Sequence, residues 1–298
     1  MEKTLFDFLK LNDVEYKENL EMKNLSSVRI GGKAEVVVFP DTDEKMVSVL
    51  DFLEENKIDY KIIGRITNVL MPDGIINKVL IKTDKLCGME VIGDRIRLCA
   101  GELIAPLANK LAKAGIDGFS RLSGIPGSVG GMITNNAGAF GMEIGDVICS
   151  SVAYSPKKKE LYYLDKSDLK LGYRSSVFKS SDMVILSAEF TFINEAPDVI
   201  LKRIREIRNL RRSSQPIDKP SLGSVFKRPC GDFAARLIDN AGLKGYCVGD
   251  AQISVRHAGF IVNKGNATAS DYCRLVEHIK QVVYEKYNVL LEEEIEIL

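Results

Sequence analysis

Gly124-Ile125-Pro126-Gly127-Ser128-Val129-Gly130-Gly131-Met132-Ile133-Thr134-Asn135-Asn136-Ala137-Gly138-Ala139-Phe140-Gly141 is the stretch on which the reading of this chain turns. It holds six glycines and two asparagines in eighteen residues, with no charged side chain. Such a composition loses much backbone entropy on ordering and is poor material for a helix or a sheet. Glycine offers instead amides that no Cβ shields, able to point several N–H groups at one anion or at the polar edge of a flat ring. An isolated Gly-Gly pair usually marks a turn that lets elements pack. The length of this segment points to close backbone approach to a ligand, with a large nucleotide cofactor the natural candidate.

Outward from that segment the pattern is mixed. Before it, residues 35–39 read as a buried strand, and Asp41-Thr42-Asp43-Glu44 as a capping-box start to a helix whose apolar face is Met46, Val49, Leu50 and Leu53. Further strands over 60–63 and 79–81 complete a β-α-β unit in about the first 80 residues. Two short strands within 88–99 precede a helix with Leu103, Leu107 and Leu111 on its buried stripe and Pro106 near its first turn. After it, runs near 147–154, 160–164 and 183–193 alternate apolar and polar positions, as an antiparallel sheet with one solvated face does. A charged helix over 197–212 leads to Ser213-Ser214-Gln215-Pro216, where the composition shifts. Beyond it come a helix over 233–240, capped by Asp232 and stopped by Gly242, and one over 270–287 with Tyr272, Leu275, Val276, Ile279, Val282 and Val283 on one face. Residues 289–298 alternate acidic and apolar side chains, with Glu293 out of step. The class is α+β.

Composition narrows the function. Lys plus Arg and Asp plus Glu both number 41, so no net field gathers nucleic acid or an acidic membrane surface. The N-terminal residues lack the apolar core of a signal peptide and no run approaches the length of a membrane span, which places the chain in the cytoplasm. Cys87, Cys99, Cys149, Cys230, Cys247 and Cys273, with His257 and His278, form no CxxC pair and no zinc spacing. Reduced thiols, no disulfides and no metal are expected.

Three more segments are dense in glycine and polar residues: 24–32, 172–179 and 220–229. In Gly172-Tyr173-Arg174-Ser175-Ser176-Val177-Phe178-Lys179 an arginine stands between an aromatic ring and two hydroxyls, a fit for a carboxylate or phosphate. In Pro220-Ser221-Leu222-Gly223-Ser224-Val225-Phe226-Lys227-Arg228-Pro229 a serine follows a glycine, with cations three and four residues on. Alone, each would pass for a turn. In this order, with Ser26-Ser27-Val28-Arg29-Ile30-Gly31-Gly32, Ala241-Gly242-Leu243-Lys244-Gly245, residues 257–268 and Leu291-Glu292-Glu293-Glu294-Ile295, the chain resembles, essentially end to end, the UDP-N-acetylenolpyruvoylglucosamine reductases. The short connection from Arg174 to the strand at Met183 leaves no room for a tyrosine-bearing insertion, which matches the shorter class of that family.

The resemblance implies a vanillyl-alcohol-oxidase-like FAD-binding fold of two subdomains, 1–82 and 83–195, with a C-terminal α+β substrate-binding subdomain, 196–298. It implies FAD as cofactor, NADPH as reductant and a UDP-linked enolpyruvyl amino sugar as substrate. Arg174, Ser224 and Glu294 match the catalytic residues, Ser224 as proton donor and the other two as the pair that polarises the substrate carboxylate. Gly64, Arg65, Thr67, Asn68, Ser123, Gly124, Pro126, Gly127, Ser128, Val129, Gly130, Gly131, Asn135 and Gly138 fall at FAD positions, and Tyr173, Lys227 and Arg228 at substrate positions. The family pattern is broken at three places. Gly64-Arg65-Ile66-Thr67-Asn68 replaces a Gly-x-Gly-Ser-Asn turn, Ser214 stands for a lysine before Gln-Pro, and Val255 for a glutamate before Arg256 and His257. A β-branched residue at positive φ is strained, so the turn is expected to change shape or lose amide contacts. The alternative to the enzyme is a divergent paralogue that keeps the fold and binds a nucleotide or sugar nucleotide without turnover.

Overall fold

In the computed structural model, which describes residues 2–298 and side chains from Thr4 onward, the chain forms two compact units. The first comprises residues 1–18, 35–65 and 77–208, and the second residues 19–34, 66–76 and 209–298. Sequence patterning suggests three consecutive subdomains, whereas by contact the units interleave along the chain.

The first unit opens with helix α1 (Glu2–Leu11), which buries Leu5 and Leu9. Parallel strands then follow the expected β-α-β order, with Val79–Lys82 paired to both Lys33–Phe39 and Tyr60–Ile63. Helix α2 (Asp43–Glu55) crosses between them. Its N-cap Thr42 accepts a hydrogen bond from the Lys45 amide, and its face of Met46, Val49, Leu50 and Leu53 is fully buried. Ile63 lies opposite Lys82 in the parallel register. The turn that starts at Gly64 therefore leaves the sheet edge beside Lys82. An antiparallel sheet follows, ordered Glu160–Asp165, Ile148–Ser155, Val184–Thr191, Arg95–Cys99, Met89–Ile92. Helices α3 (Ile104–Lys113), α4 (Val129–Thr134) and α5 (Ile144–Val147) contribute Leu107, Leu111, Val129, Met132, Ile133 and Ile144 to the same core.

Helix α4 lies inside the glycine-rich segment, where composition argues against any helix. Six residues suffice because its backbone is tied from outside: the Val129 and Gly130 amides donate to the Glu102 and Ala100 carbonyls at 2.8 Å each. Helix α6 (Pro197–Ser214) runs two residues beyond its expected end. Its Arg203 clamps Glu195 through two hydrogen bonds of 2.9 and 3.0 Å and also reaches Asp117, whose carboxylate caps the Phe119 and Ser120 amides.

In the second unit, strands Ser221–Ser224, Phe260–Asn263, Ala251–Ile253 and Cys247–Val248 form an antiparallel sheet in that order. Helix α7 (Ala234–Asn240) begins one residue later than expected. Its N-cap is Phe233, and the Asp232 carboxylate accepts from the Phe233 amide and pairs with Arg236. Helix α8 (Ala269–Tyr287) has a full capping box between Thr268 and Asp271 and ends on Asn288 in the left-handed region. The Asp73 carboxylate further accepts from the Ala269 and Ser270 amides at 2.6 and 2.9 Å. The core joins Tyr272, Leu275, Val276 and Ile279 to Val28, Ile30 and Leu70. Of the alternating closing segment only Glu296–Ile297 is a strand, running parallel to Val69–Leu70.

Candidate active site

In the first unit, Gly64, Arg65, Lys82, Asp84 and Ser128 meet at the sheet edge. The Lys82 ammonium donates to the Gly64 carbonyl at 2.8 Å and pairs with Asp84 at 2.6 Å, and Arg65 reaches the same carboxylate oxygen at 3.4 Å. Burial pulls the ammonium below the usual lysine pKa, with the Asp84 hydrogen bond and charge acting against it. A Cβ on Gly64 would stand 2.7 Å from the Ser128 hydroxyl, which is itself buried without a hydrogen-bond partner. An orphaned hydroxyl, a glycine turn packed against it and two cations are the donor set that a diphosphate-bearing cofactor calls for. These residues fit FAD.

The rest of the glycine-rich segment divides between packing and site. A Cβ at Gly130 would sit 3.2 Å from the Ala100 Cβ, and one at Gly138 only 2.6 Å from the Glu143 Cβ. Both glycines thus answer to close packing of protein on protein. Ser123 bonds back to the Ser120 carbonyl, and Asn135 to the Gly131 carbonyl. Its neighbour Asn136, which sequence reasoning passed over, is the buried one. It donates to Glu143 and to the Gly172 carbonyl at 2.8 and 3.0 Å and accepts from the Gly145 amide at 2.9 Å. Asn136 so ties the glycine-rich segment to the tight turn Gly172–Ser175, where paired backbone bonds of 3.1 Å project Tyr173 and Arg174. Arg174 sits at φ 52°, its guanidinium 5.1 Å from the Tyr173 ring centre and 3.3 Å from the Gly138 carbonyl. The only signal for Asn136 was its place in an Asn-Asn pair.

In the second unit the segments that carry Ser224 and Glu294 are paired through the backbone. The Glu294 amide donates to the carbonyl of Val225, the residue after Ser224, at 2.8 Å, and Phe226 bridges Glu293. Gly223 at φ 83° lies within the irregularity between Ser221 and Ser224. Lys227 pairs with Glu292 at 3.0 Å, while Arg228 stacks 4.6 Å over Phe233. The Asn68 side chain donates to the Glu294 carbonyl at 3.0 Å, and the Glu296 amide donates to the Asn68 carbonyl. Ile66 takes φ 52° itself with its side chain buried, a strained β-branched residue in the left-handed region. Thr67 follows Ile66 in this unit. Ser214 bonds back to Leu210, and Val255 is exposed. Among the described residues no group of His, Cys, Asp and Glu could hold a metal, the six cysteines are free, and no helix is long and apolar enough to cross a membrane.

A parallel sheet edge bearing a glycine turn, followed by a glycine-rich segment and an antiparallel sheet, is the arrangement of the vanillyl-alcohol-oxidase-like FAD-binding fold, and the comparisons make the chain an FAD-dependent oxidoreductase. The FAD binding domain profile matches residues 34–155. A berberine bridge enzyme variant, a reticuline dehydrogenase, shares this fold at TM-score 0.51 and 11% identity over 65% of this chain and 44% of its own. The profile of the UDP-N-acetylenolpyruvoylglucosamine reductase C-terminal domain matches residues 215–298. The UDP-N-acetylenolpyruvoylglucosamine reductase of Clostridium novyi is 41% identical over 97% of this chain and 94% of its own. That of Caldicellulosiruptor saccharolyticus is 39% identical over 97% and 93%. The crystal structure of the Thermus caldophilus enzyme superposes with TM-score 0.80 at 30% identity, covering 95% of this chain and 98% of its own. The chain belongs to the UDP-N-acetylenolpyruvoylglucosamine reductase family, and FAD is its cofactor.

Proposed function

We propose that the protein reduces UDP-N-acetyl-3-O-(1-carboxyvinyl)-glucosamine to UDP-N-acetylmuramate with NADPH, in the cytoplasm, as a step of peptidoglycan precursor synthesis. FAD, when bound, would be held at its diphosphate by the Gly64 turn, Arg65 and Ser128 and would supply the hydride chemistry between NADPH and the enolpyruvyl double bond. The chain's residues orient the reactants and manage one proton. Hydride addition leaves enolate-like charge on the carbon beside the substrate carboxylate, and the Ser224 hydroxyl gives that carbon its proton. Arg174 and Glu294 stabilise the developing charge around the carboxylate. A serine can act so because the carbanionic centre is far more basic than a carboxylate, and a cation such as Lys227 favours the transient alkoxide.

Family membership over nearly the whole chain carries this reading, and the backbone bond from Glu294 to Val225, the residue after Ser224, supports it. Stopped-flow absorbance at the flavin band separates the half-reactions. Ser224→Ala is expected to leave reduction by NADPH nearly untouched and to slow reoxidation by the enolpyruvyl substrate at least about a hundredfold, within the usual contribution of general acid catalysis. Reoxidation at the wild-type rate would remove the proton-donor role. A wild-type protein that holds flavin yet never bleaches with NADPH would move the reading to a paralogue that binds without turnover.

A further inference from the structure

Lys82 ends the central parallel strand after Val79, Leu80 and Ile81, all buried, and its own side chain is 3% exposed. An apolar residue would continue that run, and a buried ammonium is costly unless paired and hydrogen-bonded. Its partners are the Gly64 carbonyl at 2.8 Å and Asp84 at 2.6 Å. A trans peptide is planar, with C=O and N–H on opposite sides. Holding the Gly64 carbonyl toward Lys82 therefore turns the next amide, that of Arg65, away from it. Asp84 is shared between Lys82 and Arg65, so the three charges leave one net positive charge at this turn. Asp84 Oδ1 is buried without a partner, so the carboxylate depends heavily on Lys82.

We propose that Lys82 is the positioning residue of the FAD diphosphate site: through the Gly64 carbonyl it fixes the turn whose outward amide and cation receive the phosphates. This rests on the placement of the diphosphate at the Gly64 turn.

FAD titration of the apoprotein, followed by quenching of flavin fluorescence, tests it beside the melting temperature of the same apoprotein. Lys82→Met leaves Asp84 to the more distant Arg65 at 3.4 Å, so the decisive variant is Lys82→Met/Asp84→Asn, which removes both charges. Its apoprotein is expected to melt within a few degrees of wild type while Kd for FAD rises on the order of tenfold or more, the strength of one hydrogen bond from a charged donor. Lys82→Arg, which keeps charge and donors, is expected to recover part of the affinity. Wild-type FAD affinity in the double variant overturns the proposal, and so does a loss of affinity that merely tracks a collapse of apoprotein stability. Gly64→Ala drives a Cβ toward Ser128 at 2.7 Å and serves as control. If it weakens FAD binding and the Lys82 variants do not, Lys82 is excluded while the placement of the diphosphate stands. If neither weakens it, the placement fails as well.

Discussion

Ile66 holds a conformation that L-residues avoid at roughly 1–2 kcal/mol, at φ 52° with a side chain 2% exposed. The two terms oppose one another, since burying an isoleucine side chain contributes about 1.5–3 kcal/mol. Ile66→Gly relieves the strain but empties the buried position and loosens the unfolded chain, so a net loss of about 1–2 kcal/mol in stability is expected, read from denaturant unfolding. Because the backbone already occupies the left-handed region, the change is expected to leave FAD affinity within about threefold of wild type, well under the tenfold that 1.4 kcal/mol represents. A large gain in titrated affinity would show that isoleucine does distort the turn. At this scale the sequence is legible wherever residue type limits chemistry, as with glycine, arginine and serine. It is illegible where identical types have different surroundings. Asn135 and Asn136 are adjacent and alike, but only Asn136 is fully buried, and no single sequence distinguishes them.

Elements were readable where periodicity and caps agree. The face of α2 and its Thr42 cap follow from the spacing of four apolar residues. Helix α4 was not readable, because its stability comes from the Glu102 and Ala100 carbonyls, which lie more than twenty residues upstream. The same long-range logic makes Asn136 the connector of elements: one side chain serves the Gly172 carbonyl, the Gly145 amide and the Glu143 carboxylate. Asn136→Ala orphans the buried Gly145 amide, a loss of about 1–3 kcal/mol, while the half-buried Glu143 carboxylate and Gly172 carbonyl keep the Asp146 and Ser175 amides as partners. Thermal or denaturant unfolding is expected to show a loss of about 1–3 kcal/mol. The turn carrying Arg174 is tied to residue 134 by the Ser176 hydroxyl as well, at 2.7 Å from the Thr134 carbonyl, so it should persist. A variant as stable as wild type would mean that water replaces all three contacts and that Asn136 is not a connector.

For the whole molecule, the chain's order and its compact units do not coincide, and this has a testable consequence. The C-terminal reductase profile starts at residue 215, and composition shifts near the same point, so the last third of the chain looks separable. The second unit nevertheless draws residues 19–34 and 66–76 into itself. From them come Val28 at 0%, Ile30 at 2% and Leu70 at 0% exposure in the core around Tyr272 and Val276. They also supply the Asp73 carboxylate at the start of α8, the Val28 and Arg29 carbonyls that accept from buried Asn263, and the partner of strand Glu296–Ile297. Losing three buried aliphatic side chains forfeits about 1.5–3 kcal/mol each, a sum comparable to the 5–15 kcal/mol that holds a typical domain together. A fragment of residues 209–298 expressed alone is therefore expected to lack a cooperative unfolding transition and to give collapsed amide dispersion in its NMR spectrum. No local pattern announces this, because segments separated by more than a hundred residues meet only after folding. A well-dispersed spectrum and a sharp transition from that fragment would show that the early segments merely cover the unit without completing its core.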